Sequence, residues 1–133
     1  MKKLIINTDG GARGNPGPAG IGVVFSDENG EIVAKFKEYI GEATNNVAEY
    51  RALILALDKA KNFECQEIEC RLDSELIVKQ LKGEYKVKDE KMKDLYAKVQ
   101  ELIFFKTVNF IHVRREKNKE ADTLVNEAID ENT

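Results

Sequence analysis

KLIINTDGGARGNPGPAGIGVVFSDENGEIVAKFKEYI, residues 3–40, runs into NVAEYRALILALDKA, residues 46–60, and the change of period between them decides the fold. Residues 3–8 are short and apolar, as a buried strand requires. A Gly/Pro-rich stretch from Gly10 to Gly22 follows, centred on Asn15-Pro16-Gly17-Pro18. Residues 20–26 read as a second strand, Asp27-Glu28-Asn29-Gly30 as a turn, and 31–40 as a third strand closing a hairpin. From Asn46 onward Val47, Tyr50, Leu53, Ile54, Leu57 and Ala60 fall on one face of a helix.

Downstream the two periods alternate. In residues 67–72, Ile68, Cys70 and Leu72 point one way and Glu67, Glu69 and Arg71 the other. Ser74 to Leu81 reads as a short helix stopped by Gly83. Asp89 can cap the next helix, whose stripe is Met92, Leu95, Tyr96, Val99, Leu102 and Ile103. Residues 107–113 form a last strand and 118–130 a last helix. The order β-β-β-α-β-α-α-β-α predicts an α/β mixed sheet with helices packed on it.

A chain of 133 residues fits one domain, expected to span 1–133. The hydrophobic fraction of 42% supplies one core and excludes disorder as the main state. No apolar run approaches the roughly 20 residues of a membrane span. The start, MKKLIINTDGG, has too short an apolar run for a signal peptide, so a cytoplasmic location is expected. Cys65 and Cys70 are too few for a disulfide framework and lack metal-site spacing; both read as plain thiols. The net charge is −3, which argues against a generic nucleic-acid binder. Residues 79–119 nevertheless hold 12 Lys and Arg against 6 Asp and Glu. That stretch suits an anionic partner, or is a solvated helix face.

Four carboxylates stand where burial is expected. Asp9 closes the first strand and Asp73 the fourth, and strand ends are where sites collect in mixed α/β sheets. Glu49 lies in the first turn of the long helix, and Asp122 beside the apolar stripe of the last one. Such groups meeting at one end of a sheet need a cation, and hard oxygen ligands favour Mg²⁺ or Mn²⁺. Each also has a plainer explanation. Asp9 could be a turn residue and Asp73 a helix N-cap; Glu49 could close a capping box with Asn46, and Asp122 could face Lys119. The loop TDGGARGNPGPAG is neither a P-loop nor a dinucleotide fingerprint. Its glycines, Gly10 included, let a ligand backbone approach closely. Asn15, Asn45 and Asn46 offer neutral donors and acceptors suited to 2′-hydroxyls and base edges.

TDGGARGNPGPAGIG, TNNVAEYRALILAL, LDSELIVKQL and HVRREKNKEAD, taken in order, resemble type 1 ribonuclease H across nearly the whole chain. The resemblance implies a ribonuclease H-like fold, with a five-stranded mixed sheet flanked by helices. It implies a sequence-independent endoribonuclease that cleaves the RNA strand of RNA–DNA hybrids by two-metal hydrolysis, leaving 5′-phosphate and 3′-hydroxyl ends. Two Mg²⁺ ions are implied, with Mn²⁺ as a substitute, held by Asp9, Glu49, Asp73 and Asp122. Asn15, Asn45 and Asn46 fall where the family contacts the minor groove of the hybrid, and Thr44 where it contacts a DNA phosphate. Double-stranded RNA is a second candidate substrate, and a monomer without membrane contact is expected.

The chain departs from the best-known family pattern in three places. In place of the strongly basic insertion it has only GEYKVKDEK, so phosphate binding is assigned to Lys79, Lys82, Lys86 and Lys88. Glu42 stands where some members place a basic phosphate contact. The usual flexible loop bearing a catalytic histidine is replaced by a segment containing Arg115. His112, the one histidine, lies on the last strand, where alternation with Phe110 predicts a packed face. Arg115 is therefore the favoured catalytic cation and His112 the alternative.

Overall fold

The computed structural model describes residues 1–103 and 107–133. Its elements are β1 (Lys3–Ala12), β2 (Gly17–Ser26), β3 (Ile32–Ala43), α1 (Asn45–Ala60), β4 (Glu67–Leu72), α2 (Glu75–Leu81), α3 (Glu90–Ile103), β5 (Thr107–His112), a 3-10 turn (Arg115–Lys117) and α4 (Lys119–Asn132). The strands form one mixed sheet in the order β3-β2-β1-β4-β5. The β1–β2 and β2–β3 pairs are antiparallel, while β1–β4 and β4–β5 are parallel. The expected fold class and element order both hold.

The first two strands are longer than their apolar runs. Asp9, Gly10, Gly11 and Ala12 continue the ladder opposite Gly22, Ile21, Gly20 and Ala19. These glycines are strand residues, not a loop, and their missing side chains admit helices. A Cβ on Gly10 would meet the Ala48 backbone of α1 at 2.3 Å. A Cβ on Gly22 would meet the Ala121 carbonyl of α4 at 2.3 Å. The loop shrinks to residues 13–16, closed by the Arg13 N–H donating to the Pro18 carbonyl at 2.9 Å.

Alternation sorts the core. Leu4 and Ile6 of β1, Ile21, Val23 and Phe25 of β2, and Ile68, Cys70 and Leu72 of β4 join one buried cluster with α1. The expected stripe of α1 is buried apart from half-buried Ile54, and Ala48, Ala52 and Ala56 are buried too. The wider arc arises because α1 lies between the sheet and α3. On the other face Val24 packs with Ala121 and Leu124. Lys35 and Lys37 of β3 reach across to Glu120, Glu127 and Glu131 of α4. Buried Glu69 is held between Lys3 and Arg71. Cys65 and Cys70 are free, as expected. Among the described residues no helix is long and apolar enough to cross a membrane.

Candidate active site

Asp9 lies in β1 and Asp73 immediately follows β4, so the two parallel strands deliver both carboxyls to one end of the sheet. Glu49 joins them because Gly10 lets the Ala48–Glu49 backbone rest on β1. Carboxylate oxygens of Asp9, Glu49 and Asp73 all lie within 4.8 Å of one another. Glu49 sits beyond the first turn of α1, two residues deeper than its spacing from Asn46 implied. Asp122 approaches the Asp9 carboxyl from α4 but falls outside that mutual distance of the other three.

The plainer explanations fail one by one. Thr44 caps α1, its hydroxyl accepting from Val47 N–H at 3.2 Å, so Glu49 closes no capping box. Ser74 caps α2 by accepting from Ile77 N–H at 3.3 Å, so Asp73 is no N-cap. No ion pair joins Asp122 to Lys119 among the described residues. Asp9 accepts from the Gly10 N–H at 3.0 Å, yet it lies within a strand and not in a turn.

Burial sets the electrostatics. It pushes the Asp9 carboxyl up to about 7, assisted by the Asp73 charge and by Asp122. Burial also raises Glu49 well above the ordinary carboxylate range, with the Asp9 and Asp73 charges adding to it. Glu49 is only 7% exposed, and its Oε2 has no hydrogen-bond partner. A buried carboxylate oxygen without a donor, beside two further carboxylates, lacks positive charge. The donor set is all hard oxygen, which fits a divalent cation of the Mg²⁺ type. A cation there would satisfy Glu49 and remove the mutual repulsion.

The three acids open into a cleft of about 630 Å³ that Gly10, Asn45, Asn46, Asp122 and Arg115 also line. Asn15 and Thr44 do not line it; each hydrogen-bonds at the start of α1. The Asn15 Oδ1 accepts from Asn45 N–H at 3.0 Å, and the Asn45 Oδ1 accepts from Ala12 N–H at 2.8 Å. Lys79 is engaged by Glu75 at 3.0 Å and lies over the Tyr85 ring. Lys82, Lys86 and Lys88 are exposed and outside the cleft. His112 corrects an expectation: Phe110 is buried, but His112 ends the strand exposed and does not line the cleft. Its register partner is Leu72, the last residue of β4, so the packed face ends before it.

Arg13 and Asn126 also line the cleft and were not singled out from the sequence. The Arg13 guanidinium donates to Asp130 at 2.6 Å and to Asn126 at 3.2 Å. Asp122, Asn126 and Asp130 recur every four residues, a helical stripe that could have been found.

A family model described as reverse transcriptase-like matches residues 7–128. A bifunctional protein of Mycobacterium tuberculosis is 45% identical over 130 residues; these cover 96% of this chain but 36% of that protein. This chain therefore spans about a third of the length of that relative. The ribonuclease H of Clostridium botulinum is 34% identical over 152 residues, covering 98% of each chain. Among solved structures, a ribonuclease H1 isolated from compost, in complex with an RNA/DNA hybrid, superposes with a TM-score of 0.93. It is 53% identical, covering 96% of this chain and 97% of its own.

Proposed function

This chain belongs to the ribonuclease H family, and from that premise we propose that its acidic cleft hydrolyses the RNA strand of RNA–DNA hybrids without reading sequence. The observation that carries this reading is the mutual 4.8 Å approach of the Asp9, Glu49 and Asp73 oxygens, with Glu49 Oε2 buried and unpartnered. The reading extends to a type 1 enzyme without the basic protrusion. The short link between α2, ending at Leu81, and α3, starting at Glu90, supports it. Residues 1–133 would act as one catalytic domain. A cytoplasmic monomer is part of the same proposal, consistent with two free thiols.

Asp9, Glu49 and Asp73 would hold one divalent ion, and Asp9 with Asp122 a second. Mg²⁺ suits these hard oxygens and Mn²⁺ would substitute. Metal bound there supplies an activated water and neutralises charge at the scissile phosphate. The chain's own groups do the rest. Asn45 and Asn46 border the cleft from the start of α1, where neutral amides meet the 2′-hydroxyls that separate RNA from DNA. Arg115 lines the same cleft, and its guanidinium steadies negative charge on the phosphate. The products would carry 5′-phosphate and 3′-hydroxyl ends.

The test is one labelled oligonucleotide presented as RNA–DNA hybrid, RNA duplex and DNA duplex, with Mg²⁺, with Mn²⁺ and with chelator. Cleavage of the RNA strand of the hybrid, lost in chelator, is expected. Cutting of the DNA duplex, or none of the hybrid, would overturn the reading. The RNA duplex arm decides whether double-stranded RNA is a second substrate.

A further inference from the structure

The carbonyls just ahead of the two strand aspartates hold the same segment. Leu72, before Asp73, accepts from Val113 N–H at 2.9 Å. Thr8, before Asp9, accepts from the Asn118 side-chain Nδ2 at 2.8 Å. Between these two anchors lies the 3-10 turn with Arg115, and after the second begins α4 with Asp122.

Asn118 occupies the N-cap of α4, where an Asn side chain ordinarily accepts from its own helix. Here it makes no such bond. Its amide turns back to β1 instead: Nδ2 donates to Thr8, and Oδ1 accepts from Asn7 Nδ2 at 3.0 Å. The residue is 1% exposed. Its backbone carbonyl accepts from Asp122 N–H at 3.1 Å, and its N–H donates to the Arg115 carbonyl at 2.9 Å. A favourable capping contact has been given up for a cross-strand clamp, and the helix is held by the backbone alone.

We infer that Asn118 is a positioning residue, whose side-chain amide fixes Asp122 and Arg115 against Asp9. The inference rests on the cleft being the hybrid-cutting site. Asn118 touches neither substrate nor metal; it acts through the two side chains that its segment carries. A displacement of about 1 Å in such a group can cost on the order of a hundredfold in rate.

Asn118→Asp separates clamping from capping. It keeps an N-cap residue of equal quality and the acceptor for Asn7, but replaces the donor to Thr8 by a buried carboxylate oxygen, so Asn118→Ala, which removes the donor without adding a charge, is measured beside it. Expected for hybrid cleavage are a kcat lower by about ten- to a hundredfold and a KM within about threefold of wild type. Mg²⁺ affinity by calorimetry should weaken in the same variant. Adding Asn118→Asp to Asp122→Asn should cost less than it does alone, because both act on one group. If Asn118→Asp does not fold, Asn118→Ala decides alone. Wild-type kcat and Mg²⁺ affinity in the folded variant, whatever its melting temperature, would overturn the inference. Should wild type leave the hybrid intact, the reading of the cleft fails, and the calorimetric comparison alone decides the clamp.

Discussion

Gly10 of β1 and Ala48 of α1 meet backbone to backbone, with room for no Cβ: one on Gly10 would stand 2.3 Å from the Ala48 carbonyl. The helix that carries Glu49 is thereby set against the strand that carries Asp9. Gly11 is the natural control, since its Cβ would meet Val125 Cγ1 at an ordinary 3.8 Å. Gly10→Ala should destabilise by about 1–3 kcal/mol and depress cleavage, because α1 must move outward. Gly11→Ala should stay within about 0.5 kcal/mol of wild type. Urea unfolding of both variants checks this, and equal midpoints would refute the close approach.

Neutralising the acids should separate activity from stability. Asp9→Asn, Glu49→Gln and Asp73→Asn should each lower kcat by about a hundredfold or more while the fold survives. In chelator at neutral pH, Asp9→Asn should melt a few degrees above wild type, because it removes one of three crowded acids whose charged form burial disfavours. Circular dichroism melts with and without metal test both halves. Robust cleavage by all three variants would remove the site.

The pH dependence follows from the same crowding. The Asp9 carboxyl is raised from 3.8 to about 7 in the native chain. Between those limits the native state holds a proton that the unfolded chain has released, so this group lowers stability as pH rises through the window. The melting advantage of metal-free Asp9→Asn over wild type should therefore grow from pH 5 to pH 7.5. Mg²⁺ should abolish or reverse it, since the ion binds only the native acids. A constant difference across pH would contradict the burial argument.

Arg115 lines the cleft and His112 does not. Arg115→Ala should lower kcat by roughly ten- to a thousandfold, the cost of losing one electrostatic donor. His112 is exposed, so His112→Ala should leave the melting temperature nearly unchanged and kcat within about threefold. Steady-state rates and melts for the pair decide the assignment. A large kcat loss confined to His112→Ala would reverse it.

Lys86 and Lys88 line one surface depression with exposed Tyr85, whereas Lys79 is already tied to Glu75 and Tyr85. Reversing Lys86 and Lys88 to Glu should raise KM for the hybrid and make its salt dependence shallower by about two charges, with kcat little altered. Lys79→Ala should do less. KM measured across a salt series separates these outcomes, and unaltered slopes would leave the lysines as solvated surface.

The order of the elements was legible because each period is long enough to declare itself: Val47 to Ala60 is unmistakably helical, and Ile68 to Leu72 alternates. The four carboxylates were legible because an acid beside apolar neighbours is out of place. The strand ends were not. Gly10, Gly11 and Gly17 look like loop residues, and only the strand pairing shows that β1 and β2 carry them. The caps were left open for a related reason, since Asp73 and Asn46 were as plausible as Ser74 and Thr44 until the backbone direction was known. His112 misled because alternation along β5 cannot say where the cover ends. Asn118 left no local trace at all: its partner, Thr8, lies 110 residues away.

The sheet is half antiparallel and half parallel, and the acidic site straddles the seam. Asp9 belongs to the β1–β2 hairpin, whose pairing needs only a short turn. Asp73 arrives only when Lys3 has found Glu67 and the parallel register has zipped, a non-local step that follows costly loop closure. Asp122 comes later still in the chain, on α4. No folding intermediate that lacks β4 can present the assembled ligand set. Metal capture during refolding is therefore a clock for the completed topology, and it should trail the appearance of hairpin structure.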